Sequence, residues 1–250
     1  LLTHMIATDR FGVGSDVSWI RSCSAISTPH DGTTLATILD SLLGAGGMER
    51  ALVAMLPGRT TTDRSVYDFD LWHWGLEPRP GEGVKEFVRR VYRTLAKTKD
   101  LSSWDLTPQG ARELNERVPV YPTVTYLTWA NEETVRLPIT GRHVSSVEMN
   151  PVFWAFGDLM GNYSGSAVSR PTDWWENDGV VNTVSMKGPS GARIVTHVPG
   201  EPLARGAFNF MGLSSGKDHL KMVGHYQDPF LWGRWLRRFY LDLARQLAGL

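Results

Sequence analysis

The apolar positions of this chain fall into two periods. Over residues 84–95, Val84, Phe87, Val88, Val91 and Leu95 recur at helical spacing and predict an amphipathic helix. Residues 231–250 repeat that pattern over a longer span, with Trp235, Phe239, Leu243 and Leu247 on one stripe. Residues 107–116 read as a further helix, with Thr107 as N-cap and Pro108 in the first turn. Residues 35–56 are apolar and helix-favouring but broken by the glycines of 44–47, which predicts two short helices. Strand signals alternate with these: the β-rich runs 17–27 and 123–130, a short extended segment at 180–186, a run at 192–198, and a short strand at 208–211. Strands alternating with helices give an α/β fold. Residues 59–64 are polar and read as a loop tip, and no internal repeat, low-complexity stretch or linker interrupts the pattern.

Composition narrows the function classes. At 250 residues, 42% apolar and 21% charged, the chain is globular, and one large domain accounts for it. Formal net charge is zero and the longest basic run is Arg237-Arg238, so a phosphate-tracking surface for nucleic acid is not expected. The single cysteine, Cys23, allows no internal disulfide and reads as a core thiol in an apolar run. No apolar stretch reaches the ~20 residues that a membrane-spanning helix needs. Residues 1–5 lack the charged and apolar regions of a signal peptide.

Two short segments carry candidate chemistry: Glu176-Asn177-Asp178-Gly179 and Lys217-Asp218-His219. Each alone is ordinary, since Asn and Asp before Gly make turns and a lone histidine is usually just polar. Together they place an acid forty-one residues ahead of a histidine, the order in which an α/β-hydrolase sets Ser…Asp/Glu…His. The acid would hold the imidazole tautomer, and the imidazole would take and return a nucleophile's proton. Gly212-Leu213-Ser214-Ser215-Gly216 matches the nucleophile pattern G-x-S-x-G literally. An elbow serine stands between a strand and a helix. Here the residues after it give no helix start, so Ser214 reads as part of the loop presenting His219.

Further residues in the same chain order resemble the thermoalkaliphilic Bacillus/Geobacillus and staphylococcal lipases, which are secreted triacylglycerol lipases of the α/β-hydrolase fold. They are Ser27-Thr28-Pro29-His30-Asp31-Gly32-Thr33-Thr34, Val66-Tyr67-Asp68-Phe69 with Trp74-Gly75-Leu76, the run from Trp175 to Met186, and Asp218-His219-Leu220. The resemblance implies the back part of such a domain across 1–250, with Asp178 as triad acid and His219 as base. It implies that the nucleophilic serine and the oxyanion donors lie upstream of Leu1, so this chain alone would not hydrolyse esters. Residues 35–57 would be lid helices over an acyl pocket, although their leucines read equally as core packing. Trp72-His73-Trp74 and Trp174-Trp175 read as core or rim packing, and His30 with Asp31 as residues that fix the loop after the first strand.

The resemblance also bears on cofactors and partners. No organic cofactor is implied, and the partners are an acylglycerol or other lipid ester and a lipid–water interface. The family's structural zinc would take Asp100 from this span and its other three ligands from upstream. Its calcium site uses a glutamate two residues after the histidine, a glycine carbonyl and an Asp-Pro. Those positions are Lys221, Glu148 and a displaced Asp228-Pro229 here, so no calcium site of that kind is expected. Two other readings remain: a lipase-like pseudoenzyme that binds lipid or a partner through residues 35–56, and a metal-dependent hydrolase, for which no ligand spacing speaks.

Overall fold

Helices and strands alternate as the periodicity predicts. In chain order they are α1 (Leu2–Ala7), β1 (Ser22–Ile26), α2 (Thr34–Leu43), α3 (Val84–Leu95), α4 (Ser102–Asp105), α5 (Pro108–Arg117), β2 (Thr125–Glu132), β3 (Thr134–Arg136), β4 (His143–Ser145), α6 (Trp154–Gly161), β5 (Ile194–Thr196), β6 (Phe208–Ser215), α7 (His219–Met222) and α8 (Trp232–Ala248). The computed structural model describes residues 1–44, 71–95, 97–224 and 232–250. The main sheet is parallel throughout, in the order β1-β2-β6-β5, and β3 with β4 forms a separate antiparallel hairpin.

β2 is central, with β1 on one side and β6 on the other. Its sequence shows no polar alternation, and all but its last residue are buried. That is the pattern of a parallel strand covered on both faces. Where β6 meets β2 the register slips between Thr128 and Trp129, and Gly212 takes φ 139° on the opposite strand. The glycine of the literal G-x-S-x-G pattern therefore serves a β-bulge.

The helices bury the faces that their apolar stripes predict. Phe87, Val91 and Leu95 of α3 are buried together with Leu76 and Leu101. Thr107 caps α5, its hydroxyl accepting from the Gly110 amide at 3.0 Å, with Pro108 at the first position. Along α8, Trp235, Phe239, Leu243 and Leu247 are the inward side, and Phe239 meets Trp129 of β2 edge-on with ring centroids 5.7 Å apart. Cys23 is half-buried against the Val124–Tyr126–Phe208 cluster.

Several expectations are corrected. Residues 180–186 are not extended: Thr183–Lys187 forms a 3-10 helix. Its polar side chains bond backward, Thr183 Oγ1 to the Asn131 carbonyl at 3.0 Å and Ser185 Oγ to the Gly32 carbonyl at 2.7 Å. Such contacts override local propensity. The strand expected at 208–211 continues to Ser215, so Ser214 lies in β6 rather than in the loop presenting His219. A helix does start after it, because Asp218 caps α7 by accepting from the Lys221 amide at 2.9 Å. Of the tryptophans read as core or rim packing, Trp72 is largely exposed and Trp74 joins the α3 cluster. Only the first of the two helices expected in 35–56 can be placed, since residues 45–57 lie outside the described ones, as do Val66-Tyr67-Asp68-Phe69, the polar tip at 59–64 and Asp228-Pro229. Among the described residues, no helix is long and apolar enough to cross a membrane.

Candidate active site

Asp178 and His219 meet beyond the carboxyl ends of β2 and β6, the edge of a parallel α/β sheet where ligands bind. His219 opens α7, four residues after the end of β6, and its Nδ1 lies 2.8 Å from Asp178 Oδ2. Asp178 is fully buried, whereas the His219 side chain keeps 32% of its surface exposed. An ionised carboxylate can only accept, so Nδ1 carries the proton and Nε2 keeps its lone pair. Burial lowers the pKa of His219, but the Asp178 hydrogen bond and charge outweigh it and raise the group above its ordinary value.

A buried carboxylate must be fully satisfied, and Asp178 is. Its Oδ1 accepts from the amides of Val180 at 2.9 Å and Val181 at 2.7 Å, and its Oδ2 accepts from Asn131 Nδ2 at 3.0 Å besides His219. The tight turn that aims these amides needs Gly179, at φ 90°, where a Cβ would come within 2.6 Å of Phe153 Cβ. The main chain closes the pair as well, the His219 amide donating to the Asp178 carbonyl at 3.1 Å.

Asn131 is the residue that sequence reasoning missed. Fully buried near the end of β2, it donates from Nδ2 to Asp178 and to the Lys217 carbonyl at 3.0 Å each. Its Oδ1 accepts from the Ser27 hydroxyl. Ser27 is buried and holds φ 54°, a strained conformation for a non-glycine residue. The only signal for Asn131 was a polar residue closing an apolar strand.

The loop after β1 is fixed as expected. The His30 amide donates to the Ser185 carbonyl at 3.1 Å, and Asp31 accepts from the Ser190 amide and hydroxyl and from Asn115. Burial holds His30 neutral, with a pKa of about 4, edge-on to Phe208. A cavity of about 110 Å³ is lined by Leu35, Ala36 and Leu39 of α2, with Leu106 and Val180, and by the polar Thr33, Asp40 and Ser103. The same Val180 gives its amide to Asp178.

The other candidates lie elsewhere. Ser214 pairs in register with Asn131 within β6, and among the described residues no hydrogen bond joins it to His219. Asp100 lies exposed between α3 and α4, its amide held by Thr98 Oγ1 and its carbonyl accepting from Trp74 Nε1. Partial burial and the Asp100 carboxylate both raise the pKa of Asp105 nearby. Among the described residues no three His, Cys, Asp or Glu side chains gather as metal ligands, so Asp100 does not make a zinc site within this span. At the positions implied for calcium, the Lys221 ammonium donates to the Glu148 carbonyl and to Glu133 Oε2, at 2.7 Å each. Those groups do not fit a calcium ion, because a cation already occupies the oxygens.

Comparisons with known proteins bear on the family of the chain. A family model described as "Lipase-like, C-terminal domain" matches residues 9–249. The chain is 29% identical to a lipase of Staphylococcus epidermidis over 239 residues, covering 94% of this chain and 33% of that protein. Lipase 1 of Staphylococcus aureus is likewise 29% identical over 237 residues. The chain thus spans about a third of the length of these relatives. Among solved structures, EstA from Clostridium botulinum superposes with a TM-score of 0.73 at 34% identity, over 93% of this chain and 54% of that one. Staphylococcus hyicus lipase superposes with a TM-score of 0.76 at 21% identity, over 96% of this chain and 61% of that one.

Proposed function

We propose that this chain, which belongs to the lipase-like C-terminal domain family, supplies the acid and the base of a serine ester hydrolase acting on acylglycerols. The observation that carries the reading is the 2.8 Å contact between His219 Nδ1 and a buried Asp178 whose carboxylate accepts from four donors. The nucleophilic serine comes from outside these 250 residues. His219 Nε2 takes the serine proton as the hydroxyl oxygen bonds to the ester carbonyl carbon. Asp178 stabilises the imidazolium so formed. The proton then passes to the leaving glyceride oxygen as the ester C–O bond breaks, and the acyl group remains on the serine. Water, deprotonated by the same Nε2, attacks the acyl-enzyme; the bond to the serine oxygen breaks, that proton passes to the serine oxygen, and the fatty acid is released.

The cavity beside Val180 is apolar enough to receive part of an acyl chain, and α2 forms one wall of it. That position is consistent with residues 35–57 acting as a lid at a lipid–water interface. Within the same reading, the intact protein is secreted, and Asp100 is this chain's contribution to a structural zinc completed by residues elsewhere. A lipase-like binding protein would have no use for so fully satisfied an acid–histidine pair.

The test is hydrolysis of a short-chain nitrophenyl ester and of a triglyceride emulsion by the intact protein. Asp178→Asn turns an amide N–H toward His219 and reverses its tautomer. The expected result is a loss of about 10⁴-fold in kcat with KM nearly unchanged. The chain 1–250 alone should give no turnover. Activity of Asp178→Asn within tenfold of the parent, or turnover by the chain alone that disappears in Ser214→Ala, would reject the reading.

A further inference from the structure

The Lys221 ammonium is enclosed by oxygens. Glu133 Oε2 and the Glu148 carbonyl lie 2.7 Å from Nζ, and Asp218 Oδ2 lies at 3.9 Å. The lysine side chain is 11% exposed, Glu133 3% and Asp218 0%. Each anion is committed elsewhere as well: Glu133 Oε1 accepts from Ser146 Oγ at 2.6 Å, and Asp218 Oδ2 from the Asn150 amide at 2.9 Å. Three separate segments therefore converge on the Lys221 ammonium: the turn after β2, the loop between β4 and α6, and α7.

Two of these segments adjoin the candidate acid–histidine pair. Glu133 donates its amide to the Asn177 carbonyl, next to Asp178, at 3.0 Å. Asp218 precedes His219, and Lys221 lies on the same short helix. A hard divalent cation would gather six to eight oxygens at about 2.3–2.6 Å. The nearest oxygens among the described residues, Glu133 Oε2 and the Glu148 carbonyl, stand at ammonium distance from a lysine.

We propose that Lys221 is an internal cation, its ammonium holding the His219 helix against the Glu133 and Glu148 segments in the place of a bound calcium ion. Lys221 is thus a positioning residue for His219, and in that respect the proposal rests on His219 being the base. The intact protein then needs no calcium to order this corner of the fold.

Melting curves of the intact protein, in chelator and in millimolar calcium, test this without relying on ester hydrolysis. The parent protein is expected to melt at the same temperature in both and to show no calcium binding by calorimetry. Lys221→Met leaves two buried carboxylates without their counter-ion and is expected to melt about 10 °C lower in either buffer. Lys221→Glu completes an oxygen cage, and is expected to melt low in chelator and to recover with calcium but not with magnesium. Below their melting temperatures, Lys221→Met is expected to lose kcat rather than KM, and calcium is expected to restore kcat in Lys221→Glu. Calcium that stabilises the parent protein, Lys221→Met melting with the parent, or Lys221→Glu that calcium fails to rescue would each overturn the proposal. If Lys221→Met does not fold, the parent melts and calorimetry still decide. Should Asp178→Asn retain activity, the role assigned to His219 falls while the melting results stand.

Discussion

Replacing Asn131 by alanine removes one amide and strands three partners. Asp178 Oδ2 loses a donor at 3.0 Å, the Lys217 carbonyl loses its donor at 3.0 Å, and the Ser27 hydroxyl loses its acceptor. All of this happens around a side chain with no solvent exposure. A buried polar group left without a partner costs about 1–3 kcal/mol, and more when it is charged. Asp178 keeps three of its four donors, so its loss is a partial one. The three losses together come to about 4 kcal/mol once some relaxation is allowed. For a domain of this size that lowers the melting temperature by about 10 °C. Calorimetric melting of the intact protein at neutral pH reads it directly. Ser27→Ala serves as the internal scale, because it strands only Asn131 Oδ1 and should lower the midpoint by less than half as much. An Asn131→Ala protein melting within about 2 °C of the parent would refute the account of how Asp178 is held.

Two further outcomes follow from titratable groups outside that network. Glu176 is half-buried beside Glu132, and burial first, then the hydrogen bond to that carboxylate, raises its pKa to about 7. Its folded-state pKa lies above its unfolded one, so its stabilising contribution is full below about pH 4.5 and is lost as pH rises through about 7. Glu176→Gln should therefore melt with the parent protein near pH 5 and a few degrees above it at pH 8; an equal difference in melting temperature at both pH values would reject the assignment. For the zinc reading, Asp100→Ala should lower the bound zinc of the intact protein as read by elemental analysis. Unchanged zinc there, with loss in Asp105→Ala, would move the ligand to that neighbour.

The elements legible in the sequence are those whose signal is local. α3, α5 and α8 follow from 3.6-residue periodicity and a Thr-Pro cap, and β2 from a run rich in β-branched and aromatic residues. The hairpin of β3 and β4 and the helix α6 carry no comparable pattern, because they are short and pack on one another and, for α6, on α2. Residues 183–187 mislead for the opposite reason. Their alternation mimics a strand, while the polar positions are spent on carbonyls more than fifty residues away. Asp178 and His219 were legible as a pair because chain order constrains them. Asn131 was not, since one asparagine at a strand end carries no mark of the 47 residues that separate it from its partner. Lys221 was legible only as an ill-suited calcium ligand. Its partner Glu133 lies 88 residues upstream, and only the fold brings the two together.

The acid and the histidine depend little on apolar packing for their mutual position. Asp178 is oriented by two amides of its own turn and one side-chain amide from β2, and His219 by a main-chain bond to Asp178 itself. The Lys217 amide donates to the Glu132 carbonyl at 2.9 Å, and the Glu133 amide to the Asn177 carbonyl at 3.0 Å. The loops bearing the two residues are thus stitched to adjacent residues at the end of β2, the two that follow Asn131. Directional bonds of this kind fix orientation to a few tenths of an ångström, whereas apolar contacts tolerate volume-conserving exchange. Such a site can keep its geometry while the surrounding core drifts.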